Sequence, residues 1–187
     1  MQALHGKVAL VTGASAPKGI GRAIALRLAQ DGADVVVTDI SGAIEGGMTT
    51  RAGLLDALAQ DIITRGGSAL ALTLDVTSAR DIAAVLEQVL ARFGRLDILV
   101  NNAGSLAGSD NFLSTNAAQW TSSFEVNLLG PMMLSQAVIP EMRKLGCGRI
   151  INIGSTGSLG AEAGRSEEHT SEPQSLAYLV CRLLLAQ

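Results

Sequence analysis

Residues 7–21 read KVALVTGASAPKGIG, and the fold is decided here. Val8–Val11 is a short apolar run between Lys7 and Thr12, which predicts a strand buried on both faces. From Gly19 to Gln30, the residues Ile20, Ala23, Ile24, Arg27 and Leu28 recur at helical spacing with no proline among them, which predicts a helix. Between the two lies TGASAPKGIG, with glycines at 13, 19 and 21. Glycine tolerates positive backbone dihedrals and close approach of another chain, and the amides that open a helix attract an anion. Strand, glycine turn and helix in that order predict a pyrophosphate cradle made by Gly13, Ser15, Lys18, Gly19, Ile20 and Gly21. An ordinary glycine-rich turn is the alternative reading.

Ala33–Asp39, ADVVVTD, is a second β-branched run, and it ends in an acid 26 residues after Gly13. That placement favours the dinucleotide reading, because Asp39 can accept both ribose hydroxyl hydrogens of NAD while its charge repels the 2′-phosphate of NADP. Lys18 points the other way, as a cation that can pair with that phosphate. NAD is therefore favoured and NADP stays open; a turn acid without a ligand is the plain reading of Asp39. A loop rich in Gly and Thr leads to a helical pattern over Leu54–Thr64, and Ala69–Leu74 reads as a third strand. Asp75 and Val76 follow it, where Asp75 can accept a hydrogen bond from an adenine amino group or simply turn the chain. Ser78–Phe93 carries an apolar stripe at helical spacing. Leu96–Val100 is a fourth strand, and Asn101, Asn102, Ala103 and Gly104 leave it, small enough to admit a nicotinamide ribose or to form a turn alone. Thr121–Arg143 predicts one long helix with a bend at Pro140, and Arg149–Ile153 a fifth strand. Strands without alternation, separated by helices, predict an open, doubly wound parallel sheet in a Rossmann-like α/β/α sandwich.

Composition narrows the partners. The chain has 187 residues, with 14 Lys plus Arg against 17 Asp plus Glu, a net charge of −3 that offers no surface for a phosphate backbone, so nucleic acid is not an expected partner. With 48% hydrophobic and 17% charged residues, a single buried core is the expectation. The apolar residues are spread through short segments rather than gathered in a membrane span. Cys147 and Cys181 provide neither a disulfide framework nor a metal cluster, and the first residues contain no secretory apolar region, so a cytoplasmic protein is expected. No GxxxxGK[ST] motif is present, which sets aside a P-loop nucleotide site.

Taken together, the TGASAPKGIG turn, Asp75, NNAG at 101–104, Asn127 in FEVNLLG and RIINIGS ending at Ser155 resemble the short-chain dehydrogenase/reductase family, particularly its 3-oxoacyl-acyl-carrier-protein reductase-like members. The resemblance covers roughly residues 5–160, and the glycine turn is two residues longer than the family's usual TGxxxGxG. It implies hydride transfer between a nicotinamide cofactor and a carbonyl or secondary alcohol carbon, and a homo-oligomer for the full-length parent. By the same resemblance Ser155 hydrogen-bonds the substrate carbonyl oxygen and Asn127 holds a water in a proton relay. Each has a plainer role, as the end of a strand and as a cap on neighbouring backbone. Trp120, Phe124, Met132 and Met133, at near-helical spacing, read as packing residues rather than a substrate box.

The family also uses a tyrosine acid/base with a lysine four residues later, whose charge lowers the tyrosine pKa. The lysines here are Lys7, Lys18 and Lys144, and the single tyrosine is Tyr178, 23 residues beyond Ser155, with Arg182 four residues on. An inserted loop that delivers Tyr178 and Arg182 is one reading, although arginine replaces lysine's compact charge poorly. The other rests on Arg165–Ser175, RSEEHTSEPQS, which resembles translated sequencing-adapter read-through. It gives an incomplete dinucleotide-binding domain over residues 1–163, followed by an extraneous or disordered tail over 164–187. A solvated loop and a short terminal helix is the plain alternative for that tail. The expected activity is that of a catalytically incomplete reductase, with a non-catalytic dinucleotide-binding module as the second reading.

Overall fold

A computed structural model of the chain describes residues 2–42, 50–108 and 112–154. Ser155, Tyr178 and the whole 164–187 segment lie outside the described residues. The elements are β1 (Val8–Thr12), α1 (Ile20–Gln30), β2 (Asp34–Asp39), α2 (Arg51–Thr64), β3 (Ala69–Thr73), α3 (Ala79–Phe93), β4 (Ile98–Asn101), α4 (Ala117–Phe124), α5 (Gly130–Lys144) and β5 (Arg149–Asn152).

The five strands form one sheet in the order β3-β2-β1-β4-β5, and all pairs are parallel. Side chains alternate across this sheet and so divide the core in two. Val8, Leu10, Val36, Leu99 and Ile150 face α3 and α5, where they meet Ile82, Val85, Val89, Leu134, Val138 and Met142. Ala9, Val11, Val35, Val37, Ile98 and Val100 face α1 and α2, where they meet Ala25, Leu55, Leu58, Ala59 and Ile62. Both faces are covered, which is why the strands read as unbroken apolar runs.

Three helices open on side-chain caps. Thr50 Oγ1 accepts from the Gly53 amide, Ser78 Oγ from the Asp81 amide, and Asn116 forms a capping box with Gln119. The Thr50 cap starts α2 at Arg51, three residues before the periodic apolar pattern begins.

The single helix expected over Thr121–Arg143 is broken. α4 ends at Phe124, Glu125–Leu129 forms a π turn in which the Gly130 amide donates to Glu125 O, and α5 follows. The break falls just before Pro131, which has no N–H to return to the Asn127 carbonyl four residues back, so the ladder changes register there. Pro140 does not end α5: it is on the exposed side, where water can serve the carbonyl it leaves unpaired. Packing differs from expectation as well. Met133 packs on the core, but Phe124 is 54% and Met132 59% exposed.

Candidate functional site

The sheet order reverses direction between β1 and β4, and in open parallel sheets this is where the loops at the strand C-termini part to leave a crevice. Thr12 ends β1 and organises that crevice. Its hydroxyl donates to Val100 O at 3.3 Å and accepts from the amides of Asn102 at 3.0 Å and Ala103 at 2.9 Å. The Asn102 side chain then reaches back under the glycine turn, with Nδ2 donating to Thr12 O at 2.8 Å and Gly13 O at 3.0 Å. Both of its amide hydrogens are used in this way. Side chains are excluded around it. Gly13 has φ +68°, and a Cβ there would lie 2.8 Å from Ala103 Cα, while a Cβ on Gly21 would lie 2.5 Å from Asn102 Nδ2. The two glycines thus make room for Asn102, and Ala103 and Gly104 carry the chain away with little volume.

Helix α1 opens differently from the three capped helices. Its N-cap is Gly19, which has no side chain with which to cap the amides of the first turn. Nearby, Ser15 is buried with its Oγ unpartnered among the described residues, and Lys18 is exposed on the turn. Arg22 faces away, with its guanidinium 3.4 Å from Asp61.

Asp39 ties three segments together. Its Oδ2 accepts from the Ser15 amide at 3.0 Å, its Oδ1 from the Ile40 amide at 2.9 Å, and its carbonyl from the Leu74 amide at 2.8 Å. The Arg51 guanidinium lies 3.8 Å from Oδ1. Arg51 escaped notice in the sequence. Its signal is Thr50, a good N-cap that places the next residue in the first turn of α2, but the return of that turn to the end of β2 is a tertiary event.

Asp75 Oδ1 accepts from Thr77 N at 2.9 Å and Thr77 Oγ1 at 2.7 Å, the turn chemistry that leads into α3. Val76 is buried, and a Cβ on Gly130 would lie 2.9 Å from its Cγ2, so it seats the start of α5. Asn127 sits in the π turn. Its Nδ2 donates to Ser105 O at 2.9 Å and Ser123 Oγ at 3.0 Å, and its Oδ1 accepts from Ser105 N at 2.8 Å. The side chain therefore fixes the loop that follows Gly104. Asn101, nearly buried, donates from Nδ2 to Asn152 Oδ1 at 2.8 Å across the ends of β4 and β5, two residues before Gly154.

A groove of about 540 Å³ lies at the opposite edge of the sheet, lined by Gln2, Ala29, Gly32, Ile62 and Gly67 among others. It contains none of the turn, Asp39 or Asn127, and it is at the N-terminal ends of the strands, so it is not the candidate site despite its volume. Among the described residues, no group of three or more His, Cys, Asp or Glu side chains can hold a metal ion, and no helix is long and apolar enough to cross a membrane.

Residues 7–167 match the family described as short chain dehydrogenase, a span that includes the first residues of the 164–187 segment. The 3-oxoacyl-[acyl-carrier-protein] reductase FabG of Salmonella typhimurium is 40% identical over 162 residues, covering 87% of this chain and 60% of that protein. The chain thus spans less than two thirds of this curated relative. The solved structure of a 7α-hydroxysteroid dehydrogenase with NADH and 7-oxo glycochenodeoxycholic acid is 36% identical, with a TM-score of 0.76 over 87% of this chain and 58% of that one. A metagenomic short-chain oxidoreductase solved with NADP is 36% identical, with a TM-score of 0.74 over 88% and 69%. With residues 7–167 matched by that family and such relatives 36–40% identical over most of the chain, the chain belongs to the short chain dehydrogenase family.

Proposed function

We propose that the crevice around Gly13, Gly19 and Asp39 binds a nicotinamide dinucleotide, NAD by preference, in a protein that reduces a carbonyl or oxidises a secondary alcohol, with a 3-oxoacyl thioester as the favoured substrate class. The observation that carries this reading is the opening of α1. It alone of the helices that follow strands β1, β2 and β3 lacks a side-chain cap, so its leading amides suit a pyrophosphate. The unpartnered Ser15 Oγ adds a donor beside them. Asp39, held by the Ser15 and Ile40 amides, keeps further lone pairs for ribose hydroxyls.

Bound there, the nicotinamide group supplies the hydride donor or acceptor. The chain's own residues position and exclude. Ala103 and Gly104 leave space at the ribose, Asp75 and Val76 border the adenine, and Asn127 fixes the loop beside the crevice. Ser155 donates to the substrate oxygen, and Asn127 holds a water in the proton relay. The exposed Phe124, Leu129 and Met132 favour a homo-oligomer built on the α4–α5 stretch.

The test is a fluorescence titration with NADH, followed by absorbance assays on a panel of β-ketoacyl thioesters and ketones. Saturable NADH binding that Gly21→Ala abolishes is the expected result, and no binding at millimolar NADH would overturn the reading. A second reading, a dinucleotide-binding module without turnover, is favoured by one observation: no Tyr-x-x-x-Lys pair occurs in the chain. NADH binding without turnover supports it; robust turnover lost in Tyr178→Phe excludes it and assigns the acid/base to Tyr178.

A further inference from the structure

At the end of the sheet away from the crevice, an amine and a thiol meet. Lys7, just before β1, donates from Nζ to Asp97 Oδ1 at 3.0 Å and to Cys147 Sγ at 3.8 Å. Lys7 and Cys147 are 140 positions apart, and the sheet brings them together by setting β1, β4 and β5 side by side. The turn between α5 and β5 fixes the sulfur. Gly146 takes φ +68°, and a Cβ on Gly148 would collide with Met142 Sδ, so two glycines hold Cys147 in a turn that a side chain on either would disturb. Lys7 is the only hydrogen-bond partner of Cys147 Sγ among the described residues. Asp97 has others: Arg95 and the Val8 amide also bond it, so its carboxylate stays held if Lys7 changes partner. Both groups can be reached by a small solute, since the Lys7 side chain is 37% exposed and Cys147 is half-buried.

We infer that Lys7 and Cys147 are a site of oxidative cross-linking, where an S–N bond latches β1 to the turn before β5. The oxidant is hydrogen peroxide. The thiolate of Cys147, the reacting form, attacks one peroxide oxygen; the O–O bond breaks, giving a sulfenic acid and hydroxide, and the sulfur has lost two electrons to the peroxide. The hydroxide takes a proton from the Lys7 ammonium and becomes water. The freed amine then attacks the sulfur, as a backbone nitrogen does when a sulfenamide forms. The S–N bond forms, the S–O bond breaks, and the oxygen leaves with an amine proton as a second water. One thiolate, one ammonium and one peroxide thus give one sulfenamide and two waters, with no charge left over. A thiol reverses the step by attacking the sulfur and releasing the amine. The bond closes a loop between residues 140 positions apart, a constraint that acts chiefly on the unfolded chain. It lies at the opposite end of the strands from the crevice, so it stands apart from the dinucleotide reading.

Hydrogen peroxide treatment of the full chain, followed by digestion without reductant and mass spectrometry, tests this. The expected product joins the peptides of Lys7 and Cys147 with the loss of two hydrogens, and dithiothreitol separates them again. Cys147→Ser removes the product, and so does Lys7→Arg, which keeps a cation beside Asp97. Cys181→Ala, which removes the other thiol, leaves it in place. The treated chain is also expected to melt at a higher temperature than the untreated one, a rise that dithiothreitol reverses and Cys147→Ser lacks. Recovery of Cys147 unchanged, as a sulfinic acid, or in a disulfide with Cys181, with Lys7 still open to acylation, overturns the inference. A cross-link that survives in Lys7→Arg overturns it as well.

Discussion

At the scale of single residues, one amide decides the shape of the glycine turn. Asn102 Nδ2 bonds two successive carbonyls, those of Thr12 and Gly13, in space left by the missing side chains of Gly13 and Gly21. Asn102→Ala strands both acceptors, and urea unfolding should show a loss of about 1–3 kcal/mol with weaker NADH binding. Asn102→Asp keeps the size but offers only acceptors to those carbonyls, so it should cost at least as much. The glycines and Asp39 were legible in the sequence because their chemistry is local: backbone freedom at a turn and an acid at a strand end. Asn102 was readable only as a small polar residue in a turn, since the direction of its side chain depends on β1 and β4 lying side by side. Arg51 was invisible for the same reason, its partner lying across the opening between β2 and α2.

At the scale of elements, the strands and the helices that cover them followed from periodicity, but the long helix before β5 did not. Two prolines lie in that stretch, and their positions on the helix decide their effect. Pro140, on the exposed side, is absorbed within α5, while Pro131 stands where α5 meets Val76 and the ladder re-registers through Glu125–Leu129. Gly130 makes this junction possible. Its absent side chain leaves room for Val76 Cγ2, which would be 2.9 Å from a Cβ. Alanine has the better helix propensity by about 1 kcal/mol, but overpacking a buried contact costs about 1–3 kcal/mol. Gly130→Ala should therefore destabilise on balance, and a lowered urea midpoint with an unchanged slope would be its signature.

At the scale of the whole molecule, the two edges of the sheet have different work. The C-terminal edge holds the crevice, and the N-terminal edge is tied by Asp97, which is 3% exposed. It accepts from Lys7 Nζ at 3.0 Å, the Val8 amide at 3.0 Å, and Arg95 at 2.7 and 2.6 Å. Burial works to raise its pKa, but the hydrogen bonds from Arg95, Val8 and Lys7 outweigh it and hold the carboxyl below its ordinary range. A carboxyl whose folded pKa lies below its unfolded value of about 3.9 stabilises fully above that value, and the contribution is lost as pH falls through the folded one. Unfolding free energy measured against pH should therefore drop on the acid side of about pH 4, and Asp97→Asn should flatten that limb while costing roughly 1–3 kcal/mol at pH 7. The doubly wound class was legible from the alternation of strands and helices, whereas the strand order comes from pairings that no local pattern encodes.

The bonds from Asn102 to Thr12 and Gly13 join residues 90 and 89 positions apart. During synthesis the first three strands can pair while β4 is still inside the ribosome, but the turn after β1 has to wait for Asn102 to emerge before it takes its final form. The crevice is thus a late product of folding. A ligand that recognises only the finished turn draws the chain through that last step, and at a concentration of 100 times its Kd it should add about 2.7 kcal/mol to stability, visible as a rise in melting temperature with added NADH.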